Sequence, residues 1–262
     1  YGNRGPTRQR DAPNQSFLTV KAVITAGGRI DGEFAAAAGT DVKALAPVRG
    51  ATMLQLVIDA LRAAGVTEIA VVGGEEVKAA CASGVDRFVA ESPSGSENLL
   101  RALRAWPGDE RLLYATSDLP YVTAAAAADF VDRAGHGTLA VALAEFADFT
   151  ARFPGAPSFG IRLGRERVVN GGLFSIPPGA GEKLAAIATR FFEARKKPWR
   201  MASLVGPSVL IRFLSGRLRV ADLETMALHV LQVPAQALRG CAPELAFDVD
   251  TILEYRYACA HR

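Results

Sequence analysis

The stretch Lys21-Ala-Val-Ile-Thr-Ala-Gly-Gly-Arg29, answered by Val42-Lys43-Ala-Leu-Ala-Pro-Val48, decides how this chain is read. Ala22 to Thr25 is a short apolar run that reads as a buried strand, and it runs directly into Gly27 and Gly28. Paired glycines lack Cβ atoms, so a backbone turning there can bring its N–H groups against a large anion. Lys43 returns a positive charge to the same strand end, ahead of a second apolar segment. Strand, glycine turn and returning lysine together suit a bound triphosphate. Taken alone, the glycine pair is more commonly a tight turn of any α/β protein.

Outward from this stretch the apolar pattern alternates between two periods. Met53, Leu54, Val57, Ile58 and Leu61 recur at helical spacing and Gly65 stops them. The spacing predicts strands over 68–73, 87–90 and 111–116, a short helix over 74–82, and helices over 95–106 and 122–134. Strands alternating with helices imply right-handed crossovers and a mostly parallel sheet, with ligands beyond the carboxyl ends of the strands. Past 137 the pattern predicts strands over 139–143, 158–162 and 172–176, joined by loops. Residues 181–231 read as helical, broken at Pro198, Gly206-Pro207 and Gly216. Leu245-Ala-Phe-Asp-Val-Asp250 reads as a strand ending in acids, followed by a helix that Thr251 and Glu254 can cap.

At 262 residues and 50% hydrophobic, the chain can bury a full core. Its net charge of +3 lies in residues 1–21, where Arg4, Arg8, Arg10 and Lys21 face only Asp11. The remainder is neutral and shows no basic stripe of the kind nucleic-acid binders carry. Cys81, Cys241 and Cys259, like His136, His229 and His261, are too scattered for metal-ligand spacing or a disulfide framework, which fits a reducing cytoplasm. No signal-peptide core and no long apolar run suggests a membrane segment. The expected organisation is a flexible basic tail over 1–18 and one α/β domain over 19–262. Within it, 19–135 is the nucleotide half and 136–262 the acceptor half, with a helical insertion at about 180–240. The sheet is expected to be mostly parallel, Rossmann-like and three-layered.

The acids carry the chemistry. Asp118 directly follows an apolar strand, and Asp248 and Asp250 end another apolar segment far along the chain. Adjacent strand ends would bring these carboxylates together, and carboxylate oxygens with waters are what Mg²⁺ takes when it bridges phosphates. Each acid alone is equally a helix cap.

In their order, Ala22-Val-Ile-Thr-Ala-Gly-Gly28, Lys43-Ala-Leu-Ala-Pro-Val-Arg-Gly50, Met53-Leu54, Ala60-Leu-Arg-Ala-Ala-Gly-Val66, Thr116-Ser-Asp-Leu-Pro120 and Asp248-Val-Asp-Thr251 resemble one family. It is the molybdenum-cofactor guanylyltransferase-like group of nucleotidyltransferases. The resemblance covers most of 20–135 and returns at 245–258. It implies a fold of the nucleotide-diphospho-sugar transferase type, with a nucleoside triphosphate over Ala26, Gly27 and Gly28. It implies Lys43 on the phosphates, and the Glu91–Asn98 segment at the base and ribose with Gly95 and Ser96 as the best candidates; the family's arginine role falls to Arg29 or is absent. Asn170, Gly171 and Gly172 would face the acceptor, although a turn between strands is the competing reading. Mg²⁺ or Mn²⁺ would be held by Asp118 together with Asp250 or Asp248. The implied reaction moves a nucleoside monophosphate from the triphosphate to a phosphorylated small molecule and releases pyrophosphate.

The glycine-to-lysine loop departs from the family pattern. It is longer, has no Thr-Arg pair before Lys43, and carries Asp31, Glu33 and Asp41. Three acids beside a polyphosphate repel it unless metal or basic groups offset them. A regulatory nucleotide-binding domain without turnover therefore stays open. So does a glycosyltransferase on the same fold, whose usual Asp-x-Asp is here the single Asp118. A nicotinamide-dependent dehydrogenase is set aside, because the first strand lacks Gly-x-Gly-x-x-Gly. Arg195-Lys-Lys-Pro-Trp-Arg200 is either a solvated helix end or a cationic edge for a phosphorylated acceptor.

Overall fold

In chain order the elements are β1 (Lys21–Thr25), α1 (Gly32–Ala38), β2 (Pro47–Val48), β3 (Ala51–Thr52), α2 (Met53–Ala63), β4 (Glu68–Gly73) and α3 (Glu75–Ala80). Next come β5 (Arg87–Ala90), α4 (Gly95–Leu103), β6 (Leu112–Thr116), α5 (Ala124–Arg133), β7 (Leu139–Glu145), α6 (Phe146–Arg152) and β8 (Ile161–Leu163). The last are β9 (Glu166–Ile176), α7 (Gly181–Ala194), α8 (Pro207–Leu214), α9 (Val220–Leu231), β10 (Ala235–Leu238) and α10 (Ile252–Ala260). This computed structural model describes residues 20–81, 84–106, 110–157, 160–194 and 206–261. The basic tail and the 195–200 segment singled out above lie outside the described residues.

Strand β1 sits inside the main sheet, whose order is β10-β7-β9-β6-β1-β4-β5, with β8 added on β9. It pairs in parallel with β4 and β6, and β10 pairs in parallel with β7. Strand β9 runs against its neighbours β6, β7 and β8, so the sheet is mixed but mostly parallel. Ala22, Val23 and Ile24 are all fully buried, as expected of a parallel strand covered on both faces. Ala22 and Ile24 join a core with Leu54, Ile58, Leu61 and Phe130 from α2 and α5. Val23 joins Ala102, Leu103 and Ala185 from α4 and α7 in a second core on the other face. Helices on both sides make the three layers. Hydroxyl caps fix two of them: Thr52 accepts from the Gln55 N–H at 3.1 Å and Thr123 from Ala126 at 3.2 Å. A cap of this kind contributes about 1 kcal/mol. Among the described residues no helix is long and apolar enough to cross a membrane.

Four expectations are corrected. The loop between the glycines and Lys43 contains α1, because its alanine-rich run favours helix and buries Phe34 against Tyr255, ring centroids 5.0 Å apart. Strands β7 and β8 are separated by α6, whose Phe149, with Phe153 one turn on, packs into an aromatic cluster with Tyr121, Phe247 and Tyr257. The segment 245–250 is not a strand. Both edges of β6 are already taken by β1 and β9, so this segment follows a 3₁₀ turn (Pro243–Leu245) and crosses the strand ends as irregular chain. Asn170, Gly171 and Gly172 lie inside β9 rather than in a turn, where the register against β7 shifts between Val141 and Leu143. A Cβ on Gly172 would stand 2.4 Å from Thr116 Oγ1, and one on Gly171 2.8 Å from Ala142 Cβ, so both glycines permit close approach of β9.

Candidate active site

The carboxyl ends of the parallel strands deliver their following residues to one rim. Ala26 is tied there by its N–H to the Val72 carbonyl at 2.8 Å, and Glu91 by its N–H to the Gly73 carbonyl at 2.9 Å. The long loop after Arg29 closes on itself at its base. Ile30 N–H donates to the Asp41 carbonyl and Lys43 N–H to the Gly28 carbonyl, both at 2.9 Å. Helix α1 is therefore looped outward while Lys43 is brought back beside the glycines. This geometry removes the objection raised by Asp31, Glu33 and Asp41, none of which lines the cleft over the glycines. Glu33 instead pairs with Arg256.

Lys43 Nζ donates to Asp118 Oδ2 at 2.5 Å and to Asp250 Oδ1 at 2.7 Å. Burial works against the ammonium charge, but the Asp118 and Asp250 carboxylates outweigh it and hold Lys43 above its ordinary value. Asp250 is positioned by its neighbours. Val249 N–H donates to the Asp118 carbonyl at 3.1 Å, and the buried Glu254 carboxylate accepts from Asp250 N–H at 3.1 Å and Thr251 N–H at 2.5 Å. Asp248 reaches solvent and makes no ion pair among the described residues. Surrounding protein atoms, then the Asp118 and Asp250 charges, push its carboxyl up to about 6.

The acids fit a hard divalent cation. Asp118 Oδ1 is buried with no hydrogen-bond partner among the described residues, and Asp250 reaches the same lysine nitrogen. No group of three or more His, Cys, Asp or Glu side chains converges on a single metal position among the described residues. Two carboxylates completed by phosphate oxygens and water would suffice for such an ion.

Two cavities are lined by different members of this ion-paired cluster. A cleft of about 770 Å³ is lined by Gly27, Gly28, Lys43, Glu91, Gly95 and Asp118 among others. A smaller cavity of about 370 Å³ has walls of Phe149, Ile161, Val169 and Phe247, with Asn170, Asp248 and Asp250 at its edge. Asp118 thus faces the first, Asp250 the second, and Lys43 joins them.

The remaining expected residues divide. Gly27 and Gly28 both line the cleft, and a Cβ on Gly27 would stand 2.2 Å from Glu91 Oε2. Ala26 is fully buried and offers only backbone. Gly95 lines the cleft, whereas the Ser96 hydroxyl is 2.9 Å from that of Ser94 at the start of α4. Arg29 lines the cleft but is engaged by acids, donating to Glu91 Oε1 at 2.6 Å with Glu76 at 3.9 Å. Asn170 reaches the smaller cavity; Gly171 and Gly172 are buried in the sheet. The sequence reading places the Glu91–Asn98 segment at the base and ribose but singles out Gly95 and Ser96 within it, not Glu91 or Asn98, and gives Thr116 no role. Glu91 Oε2 and Thr116 Oγ1 are buried with no hydrogen-bond partner among the described residues, and Asn98 shapes the loop by bonding Ser92 N–H at 2.6 Å and its carbonyl at 2.9 Å. The signal for Glu91 was present: it is the first residue after β5, as Asp118 is the second after β6.

The family model of the MobA-like NTP transferase domain matches residues 22–196. The chain belongs to the MobA-like NTP transferase family. It is accordingly a nucleotidyltransferase, and the match spans β1 through α7 while Asp248 and Asp250 lie beyond it. A hypothetical transferase from Thermus thermophilus is 32% identical with a TM-score of 0.78, covering 89% of this chain and 98% of its own. Two further structures share the fold at lower identity. A Mycobacterium tuberculosis protein complexed with manganese is 20% identical with a TM-score of 0.52, over 94% of this chain and 100% of its own. A CMP:2-keto-3-deoxy-manno-octonic acid synthetase complexed with CTP is 16% identical with a TM-score of 0.50, over 92% and 97%. No curated protein sequence matches the chain.

Proposed function

We propose that this transferase moves a nucleoside monophosphate from a nucleoside triphosphate to a phosphorylated small-molecule acceptor, with release of pyrophosphate. The observation that carries the reading is the Lys43 ammonium held between Asp118, which lines the larger cleft, and Asp250, which lines the smaller cavity. The nucleotide occupies the larger cleft, its phosphates over the Gly27–Gly28 backbone. Glu91 Oε2, buried with no hydrogen-bond partner among the described residues, accepts a hydrogen bond from an N–H of the base. The acceptor enters from the smaller cavity, so the halves on either side of residue 135 divide the substrates between them. Phe149, Ile161, Val169 and Phe247 give this cavity an apolar wall and no lysine or arginine among the described residues lines it, so the acceptor has an apolar body and its phosphate takes Lys43 as its cationic partner. An acceptor phosphate oxygen attacks the α-phosphorus, the bond from that phosphorus to the β-bridging oxygen breaks, and pyrophosphate leaves. Lys43 neutralises the charge that develops on the non-bridging oxygens. Mg²⁺ or Mn²⁺, held by Asp118 and Asp250, would add Lewis-acid stabilisation of those oxygens when bound.

Calorimetry with each nucleoside triphosphate and Mg²⁺, followed by a pyrophosphate-release screen over phosphorylated acceptors, tests the reading. Acceptor-dependent release supports it. Binding without release under any acceptor favours a regulatory domain, and consumption of a sugar nucleotide in place of a triphosphate favours a glycosyltransferase.

A further inference from the structure

A further cavity, larger than either of those at the candidate active site, lies apart from them. It is a cleft of about 1040 Å³ between the β8–β9 hairpin and the turn from α8 into α9, and it shares no lining residue with the nucleotide or acceptor cavities. Among the described residues five arginines line it: Arg239, already paired with Glu145 and Glu166, and four others from the two sides, Arg162 and Arg165 from the hairpin and Arg217 and Arg219 from the turn. None of the four guanidinium groups has a carboxylate partner among the described residues; Arg162 Nε makes only a 3.4 Å bond to the Gly164 carbonyl. The two acids in the lining are already engaged. Glu166 pairs with Arg239 at 2.9 Å, and Glu224 accepts from the Ala237 N–H at 2.8 Å. The floor between the arginines is apolar, formed by Leu163, Val220 and Ala237.

Unpaired like charges facing one another across a concave wall repel, and a bound anion removes that cost. The guanidinium fork matches phosphate oxygens in pairs, which an ammonium does not. A concave site of this volume suits a small molecule. We propose that the cleft is a second anion site that binds a phosphorylated small molecule, with the phosphates between the two arginine pairs and an uncharged portion on the apolar floor. The site does not depend on the catalytic reading. It does share a hairpin with the acceptor side: Ile161, next to Arg162, lines the acceptor cavity.

The test is a calorimetric titration of the full chain with inorganic pyrophosphate in the presence of a metal chelator. The wild type, Arg165→Ala/Arg217→Ala and Lys43→Ala are compared. Removing two charge-assisted contacts is expected to weaken pyrophosphate by about 100-fold, roughly tenfold for each arginine. Lys43→Ala is expected to bind within twofold of wild type, which separates this site from the catalytic cleft. All four arginines are exposed, so the double variant should fold; if it does not, Arg162→Ala/Arg219→Ala reads the same site. Failure of the wild type to bind pyrophosphate overturns the proposal, as does undiminished binding in the arginine variant or loss confined to Lys43→Ala. An acidic glutamate peptide that binds where pyrophosphate does not would also overturn it, in favour of a docking surface for an acidic polypeptide.

Discussion

Replacing Lys43 by alanine removes the cation that Asp118 and Asp250 share, and the structure allows its cost to be apportioned. The Asp118 side chain is only 11% exposed and Lys43 17%, whereas Asp250 is 66% exposed. The exposed member contributes little, about 0–1 kcal/mol. The buried one carries the effect, because removing one partner of a buried pair leaves a desolvated charge and costs about 3–5 kcal/mol. Taking the low end for a site that still touches solvent, Lys43→Ala should destabilise the metal-free protein by about 3 kcal/mol. For a protein of this size that lowers Tm by roughly 6–12 °C. Turnover should fall by about 10²–10³-fold, the cost of losing one preorganised donor to a developing oxyanion. Lys43→Arg should recover most of the stability, since the charge is kept. Thermal unfolding in chelator and pyrophosphate release under saturating nucleotide give the two readouts. A Tm within 1 °C of wild type, or release within about threefold, would refute the assignment of Lys43 as the shared cation of the site.

Three further outcomes follow from the geometry. Asp248→Asn should stabilise the metal-free protein above pH 6 and change little near pH 4. The Asp248 carboxyl is pushed up to about 6 in the fold from a reference of 3.8, so the wild type binds an extra proton between those values and loses stability as pH rises through that window. Equal Tm differences between acid and neutral pH in both proteins would contradict this. Gly172→Ala should cost about 1–3 kcal/mol in denaturant unfolding, because the new methyl meets Thr116 Oγ1 at 2.4 Å and both Leu119 methyl groups at 2.9 Å; a neutral result would show that β9 relaxes freely. Glu91→Gln should change the ranking of nucleoside triphosphates by KM while the fold is retained, and an unchanged ranking would remove Glu91 from base recognition.

Local chemistry was legible in the sequence where it coincided with a strand end. The β1 run, Gly27, Gly28 and Asp118 are each read from a short apolar run followed by a small or acidic residue, and the structure brings all of them to one rim. Lys43 was legible because it precedes the next apolar segment, and the ladder from Gly28 to Lys43 explains why the long loop does not displace it. The loop itself was misread because its alanines report helix only through burial of Phe34 by a partner more than two hundred residues away. Segment 245–250 has a strand's composition, but no sequence pattern shows that both edges of β6 are occupied. Pairings across 62, 75 and 207 residues, those of Arg29 with Glu91 and of Lys43 with Asp118 and Asp250, are decided by tertiary placement alone. The arginine cleft was hidden for the same reason, since its two pairs lie on separate elements of the C-terminal half.

The central claim is that the Lys43–Asp118–Asp250 junction joins a nucleotide to a phosphorylated acceptor. Mass analysis of the products formed from a nucleoside triphosphate, Mg²⁺ and an acceptor panel tests it most directly, with wild type and Asp118→Asn run side by side. The account predicts a product heavier than the acceptor by one nucleoside monophosphate, formed in equal amount with pyrophosphate and lost in Asp118→Asn. An acceptor carrying a transferred sugar, or a nucleotidylated product made equally well by Asp118→Asn, would contradict it.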